Sequence, residues 1–471
     1  MSFTTDESRW SDVWLAAAAR GTTICGDFLA ATALALALQG AGAGGLAVSG
    51  LLLAATLPLV VLAPLAGRLA DRTDSRTLLV TIGFGQAVIC ALLAVVEQPV
   101  LVVGLVALLA CGLAVTQPCL AALLPAMVRP ADLPRASAIS QTAVSLGALG
   151  GPVLAGLLVG QFGTRVPLLL DAATYLALVV AGLLLRTRRG GQRSAAAASE
   201  AAASEAVVSS ETAASRAADV SSPAVSGGVP TPGGTEVGWR LRRDPLMLVM
   251  VVSTAVVIAA IGGINVIEVF FIRETLEGSA TTYGLVSAAW MAGMLPGTWL
   301  AVRLARRLDD DGALVRGVLA TLAVCSLMVL LAATVPAAGV LVPLWLVGGA
   351  ANGGENVFAN LLTARRVPEA MRARAYASYG AAVQGGSMAG FLIGGALLAV
   401  VPPRPLIAGA GVVGLLVVLA FVPVLAGAAR RSSSAGLATP GRPAEPEPAA
   451  GDTVGPWLSA SHARGSGTSS S

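Results

Sequence analysis

The stretch Gly67-Arg68-Leu69-Ala70-Asp71-Arg72-Thr73-Asp74-Ser75-Arg76 places five charged side chains in ten positions. It is flanked by two apolar runs, 46–66 and 78–96. Each run is close to the ~20 residues a helix needs to cross a bilayer. A link this charged cannot remain in hydrocarbon, so it reads as a surface loop between two membrane-spanning helices.

The same alternation continues along the chain. Apolar segments of helix length are 13–38, 46–66, 78–96, 99–124, 136–160 and 166–185, then 245–267, 282–302, 312–334, 338–363, 375–401 and 405–427. This predicts an all-α membrane protein of twelve transmembrane helices. The bulk numbers agree: 471 residues, 55% hydrophobic, 12% charged and a mean hydropathy of +0.79. A soluble domain carries about 25% charged residues. Aromatics make up only 4%, while glycine reaches 55, a balance that suits close helix contact in a membrane. Pro118 and Pro125 interrupt the fourth segment and Pro152 the fifth, which membrane helices tolerate.

Other classes find no footprint. No basic run alternates with aromatics, so no nucleic-acid partner is expected. The five cysteines (Cys25, Cys90, Cys111, Cys119, Cys325) lie in apolar stretches without a CxxC pair, and the only histidine, His462, lies in a polar tail. No metal site, cofactor or enzymatic constellation is expected, and no phosphate-binding loop for ATP. The N-terminus (Met1 to Trp10) is acidic and polar, unlike a signal peptide.

Arginine placement predicts orientation. All 30 basic residues are Arg. Twenty-one of them fall in alternate loops and three, Arg165, Arg273 and Arg404, in the opposite ones. The bias places both termini in the cytoplasm of a multi-pass cell-membrane protein. The expected organisation is a cytoplasmic N-terminus 1–12, a six-helix bundle 13–186, a linker 187–243, a second six-helix bundle 244–427 and a tail 428–471. The linker and tail are Ser-, Ala-, Gly- and Pro-rich and read as disordered. The bundles repeat. At an offset of 239, Arg135, Gly147, Gly151 and Gly156 meet Arg374, Gly386, Gly390 and Gly395; at 235, Arg68, Leu69 and Arg72 meet Arg303, Leu304 and Arg307.

Two parallel six-helix repeats are the layout of the major facilitator superfamily. The opening stretch resembles its loop 2–3 signature, G-x-L-a-D-R-x-G-R-R. It matches at Gly67, Leu69, Asp71, Arg72 and Arg76 and departs at Asp74 and Ser75. The resemblance implies a gating loop in which Asp71 accepts hydrogen bonds from the N-terminus of the eleventh helix, near Arg374. A merely solvated positive-inside turn is the alternative. Gly147-x-x-x-Gly151-Pro152-x-x-Ala155-Gly156 resembles the antiporter signature of helix five, and implies export; simple helix packing is the plainer reading. Leu123 to Ser140 and Pro368 to Arg374, with Arg372 and Arg374, resemble loops 4–5 and 10–11 of the enterobactin and macrolide exporter branch.

Charges inside a membrane helix are costly and default to functional candidates. Asp27 lies midway along the first helix and is a candidate proton or substrate site, with a structural hydrogen-bonding role as the alternative. Arg20, seven residues earlier on the same face, is expected to snorkel to the interface. On the tenth helix Asn352, Glu355, Asn356 and Asn360 fall within one face about 140° wide, which should line a central cavity or a helix contact. Asp171 and Glu268 lie nearer the ends of the sixth and seventh helices and could equally be interfacial, with Asn265 one turn from Glu268. The segment 99–124 lacks the Arg that the family often carries in helix four. Desolvation favours the neutral form of a carboxylic acid, so Asp27 and Glu355 are the expected proton carriers.

The expected function is proton-coupled export of a small amphipathic compound, such as a drug, antibiotic or siderophore, by a monomer in a lipid bilayer. An uptake permease of the same fold and a transport-inactive scaffold or sensor are the alternatives.

Overall fold

The computed structural model describes residues 8–187, 241 and 244–437, apart from 64, 66, 67, 70–72 and 309. The regular structure among these residues is helical. The first half contains α1 (Trp10–Gly40), α2 (Gly45–Val61), α3 (Ser75–Leu93), α4 (Pro99–Met127), α5 (Leu133–Phe162) and α6 (Arg165–Leu184). The second half begins with α7, which runs in three pieces, Pro245–Gly262, Ile264–Phe270 and a π-helical turn Phe271–Thr275. It continues with α8 (Ala280–Ala305), α9 (Asp311–Ala332), α10 (Leu341–Arg366), α11 (Glu369–Leu397) and α12 (Pro403–Leu437).

Local chemistry sets many of these ends. Asp244, Ser279 and Asp310 accept hydrogen bonds from first-turn amides of α7, α8 and α9. Pro99 and Pro245 open their helices, where the missing N–H costs nothing. Gly163, at a φ of 73°, closes α5. The last helix continues to Leu437, past the boundary at 427 expected from composition. The linker 188–240 and the tail 438–471 lie outside the described residues.

Among the described residues nine helices are long and apolar enough to cross a membrane. The described part of α2 is short, and α10 and α11 are less apolar. Those two carry Asn352, Glu355, Asn356, Asn360, Arg372 and Arg374. Helices of that composition face polar neighbours or water rather than lipid.

The packing divides by depth. At the Arg-poor end one apolar cluster joins the halves, with Leu34, Val48 and Leu51 from the first and Ile267, Phe271 and Phe391 from the second. Toward the Arg-rich end the buried residues separate into two clusters. One holds Val13, Leu79, Met127 and Tyr175, the other Met250, Leu314, Phe358 and Leu362. Among the described residues the halves are therefore sealed at the Arg-poor end and parted at the other.

Two glycine contacts make the seal. A Cβ on Gly156 of α5 would lie 2.7 Å from the Ala280 carbonyl and 3.1 Å from Gly284 Cα on α8. A Cβ on Gly395 of α11 would lie 2.6 Å from the Gly45 carbonyl and collide with the Ser49 hydroxyl on α2. Ser49 Oγ donates to the Phe391 carbonyl at 2.6 Å, Thr281 Oγ1 to the Gly156 carbonyl at 3.3 Å and Gln39 Nε2 to Glu274 at 3.1 Å.

At the Arg-rich end each half is tied to itself. Asp12 accepts from the amide and hydroxyl of Thr187 at 3.0 and 2.7 Å. Arg366 bridges Asp244 at 2.8 Å and Asp311 at 3.1 Å. Arg366→Ala would leave buried Asp244 without its cation. The expected loss is about 1–3 kcal/mol, below the ~3–5 kcal/mol of a fully buried pair because Arg366 is partly exposed. Thermal unfolding in detergent should show a midpoint several degrees lower.

Candidate functional site

Each half holds one carboxylate cluster built from three helices. In the first half Asp27 on α1 accepts a hydrogen bond from the Tyr175 hydroxyl on α6. One turn away on α6, Asp171 accepts from Cys90 Sγ on α3 at 3.1 Å and from Thr174 Oγ1 at 3.2 Å. Gly26 makes this possible, since a Cβ there would strike the Asp171 carboxylate and the Thr174 hydroxyl.

In the second half Glu355 on α10 is 2% exposed. Its Oε1 accepts from the Tyr379 hydroxyl on α11 at 2.6 Å and from Thr254 Oγ1 on α7 at 3.2 Å. A hydroxyl donor is what a buried carboxylate needs when charged, and it can equally accept when the acid is neutral. Both clusters can therefore hold a carboxyl group in either protonation state without leaving it unpaired.

The structure corrects the interfacial reading of Asp171 and Glu268. Asp171 is 0% and Glu268 8% exposed. Their helical register turns both into the bundles, where Cys90 and Thr174 replace water for Asp171. Glu268 lies at the sealed end beside Tyr283, and its Oε1 has no hydrogen-bond partner among the described residues. Asn265, expected on the same face, is exposed instead and donates to the Gly262 carbonyl at 3.1 Å. A side chain that takes a main-chain acceptor competes with the helix ladder. That competition falls at the first interruption of α7.

The polar face of α10 divides. Glu355 points into the bundle, and Asn356 donates to the Asn352 carbonyl at 2.9 Å. Asn360 is exposed and lines an open cavity with Arg306, Arg365 and Tyr376, whose hydroxyl donates to the Asn360 carbonyl at 3.2 Å. The face thus meets neighbouring helices at Glu355 and an open cavity at Asn360.

The helix-five motif also divides. A Cβ on Gly147 would fall onto the Gly21 carbonyl of α1, and one on Gly151 would lie 2.7 Å from the Cys25 carbonyl. Those two glycines pack α5 within its own half, whereas Pro152 and Gly156 meet α8 across the seal.

Gly67, Asp71 and Arg72 of the loop lie outside the described residues. Arg76 is half-buried at the start of α3. Arg372 donates to the Val367 carbonyl at 3.1 Å, closing the turn into α11, and Arg374 is exposed. Arg20 does not snorkel freely. It is half-buried, and its Nη1 sits 3.5 Å from Ser140 Oγ on α5.

Sequence reasoning missed the partners Tyr175, Tyr379, Thr254 and Cys90. A signal was present: the chain has only four tyrosines, and each lies beside a polar candidate. Among the described residues no group of three His, Cys, Asp or Glu side chains is placed to hold a metal ion.

Comparison with known proteins follows the same lines. A family model described as Major Facilitator Superfamily matches residues 16–265 and 250–464. A nucleoside transporter structure superposes with a TM-score of 0.64 at 13% identity, covering 88% of this chain and 98% of that one. A peptide transporter in complex with sulfate gives 0.65 at 14%, covering 89% and 95%. A D-xylose–proton symporter gives 0.60 at 15%, covering 88% and 98%. Comparison with curated protein sequences finds no match.

Proposed function

This chain belongs to the major facilitator superfamily, and from that membership we propose that it exports a small amphipathic compound in exchange for protons. It is a multi-pass membrane protein with a transporter fold. In this reading it is a monomer of the cell membrane with both termini in the cytoplasm, and it performs no covalent chemistry on its cargo.

The observation that carries the reading is the pair of carboxylate clusters, Asp27 with Tyr175 and Glu355 with Tyr379, one in each half. With the Arg-rich end cytoplasmic, the parted end opens inward, and Asp27 and Glu355 exchange protons and cargo with the cytoplasm. Asn352, Asn356 and Asn360 contribute polar contacts along the wall. Glu268, hydrogen-bonded to Trp345 and Ser287 at the seal but with Oε1 unpaired, would meet the external side once the halves tilt the other way. Asp171 holds Cys90 and Thr174 around the first cluster. Gly67, Asp71, Arg72 and Arg76, with Arg372 and Arg374 opposite, form the cytoplasmic gate, and the helix-five motif supports export over uptake.

The test is accumulation and susceptibility screening of amphipathic compounds in an efflux-deficient host that expresses the chain, with and without an uncoupler. Export that collapses with the gradient supports the proposal; export indifferent to it overturns the coupling. Glu355→Gln should insert normally, because Thr254 and Tyr379 can still donate to its amide oxygen. Gradient-driven export by this variant, measured in proteoliposomes, should fall at least about tenfold, the equivalent of ~1.4 kcal/mol.

A further inference from the structure

The two halves can be superposed residue by residue from their own contacts. Gly147 meets the Gly21 carbonyl and Gly386 meets the Ala255 carbonyl; Gly151 meets the Cys25 carbonyl and Gly390 the Ala259 carbonyl. These pairs equate α1 with α7 at an offset of 234 and α5 with α11 at 239. Val128 and Val367 are the extended C-caps of α4 and α10, which carries the 239 offset to those helices.

Applied to the second carboxylate cluster, the register gives one surprise. Thr254 corresponds to Arg20, Tyr379 to Ser140 and Glu355 to Thr116. Thr116, like Glu355, is 2% exposed, and its hydroxyl is turned to the Gly112 carbonyl of its own helix at 3.2 Å. In the second half two hydroxyl donors grip a carboxylate supplied by the chain. In the first half a guanidinium and a hydroxyl occupy the donor positions, and the chain supplies no carboxylate.

Arg20 is correspondingly under-satisfied. The Ser140 contact is long for a hydrogen bond, and Nε is buried with no partner. No ion pair forms between Arg20 and any described acid. A half-buried guanidinium without an anion is costly, and planar oxyanions are the ligands its fork matches. The position lies at the depth where the apolar clusters of the halves have separated.

We propose that Arg20 and Ser140 form a recognition site for an oxyanion, a carboxylate or its equivalent, carried by the amphipathic cargo. The inference rests on the transporter reading and narrows its substrate class. The bound anion would occupy the place that Glu355 fills in the other half.

The test uses the full chain purified in detergent, without a proton gradient, and three probes on one scaffold: 2-naphthylacetate, its methyl ester and 2-(2-naphthyl)ethylamine. Binding is read by tryptophan fluorescence. The acid should bind at least about tenfold more tightly than the ester or the amine, the lower end expected for a hydrogen bond to a charged group. Arg20→Gln should remove that preference and Arg20→Lys keep part of it, since the charge stays while the fork is lost. Ser140→Ala should weaken the acid a few-fold only. Acid and ester binding alike, no acid bound, or a preference that survives Arg20→Gln overturns the proposal. If Arg20→Gln proves aggregated on size exclusion, Arg20→Lys decides: a preference equal to wild type overturns it. Because no gradient is present, selective acid binding by a chain that fails to export leaves this site standing and removes only the coupling. Gradient-driven export of the amine with no acid preference in binding does the reverse.

Discussion

Asp27→Asn should reduce gradient-driven export to the background of protein-free liposomes while leaving expression and monodispersity unchanged. Asparagine keeps the shape of aspartate and an oxygen for the Tyr175 hydroxyl, so the packing of α1 against α6 has no reason to change. What disappears is the ability to take up and release a proton. Exchange of cargo down its own gradient needs no proton and should persist. The measurement is paired: export under an imposed pH gradient, and counterflow without one, on the same preparation. Export that survives would remove Asp27 from the coupling; loss of both would mean that the residue holds the bundle rather than the proton. Tyr175→Phe keeps the acid and deletes its donor, so a partial loss is expected, of the size of one hydrogen bond, about 1 kcal/mol.

The second large effect is conformational. Gly395→Val should open the Arg-poor end. The added carbons meet the Gly45 carbonyl and Ser49, and both backbones belong to helices that cannot yield locally. Overpacking of this kind costs about 1–3 kcal/mol. The cost exists only while α11 lies against α2, so it acts as a bias between two states, about 5- to 150-fold in their ratio. Spin labels at Leu46 and Val400, both exposed at that end, should report a longer distance than in the parent protein. Gly156→Val, the equivalent change against α8, should do the same. Gly85 faces open space, and Gly85→Ala should leave the distance alone. A Gly395→Val protein with the parent distance would show that the seal is not what holds this state.

Much of this was legible in the chain. Among the described residues the twelve apolar segments became twelve helices, and length and hydropathy suffice to make nine of them long and apolar enough to cross a bilayer. The repeat offsets of 239 and 235 recur as the paired contacts of Gly156 with Ala280 and Gly395 with Gly45. Small residues at fixed spacing could be read because only glycine permits such an approach. The interruption of α7 could not, since it arises where the Asn265 side chain takes the Gly262 carbonyl and where the Leu276 amide reaches Phe271. Nor could the burial of Asp171. Helical spacing gives the face a residue occupies, but the face acquires meaning from the neighbouring helix, here Cys90 of α3 and Gly26 of α1. Arg20 was misread for the same reason: seven residues from Asp27 said nothing of Ser140, 120 positions away in the chain.

The seal made by Gly156, Gly284, Gly45 and Gly395 bears on thrift as well as movement. Main chain lies against main chain at these contacts, and water is the wire along which protons would otherwise run. A carrier working on a proton gradient must not short-circuit it. Glycine at these contacts has no side chain to swing aside. On the proton coupling proposed above, glycine at this end would act as insulation, and a variant with a larger residue there should betray itself first as a proton leak.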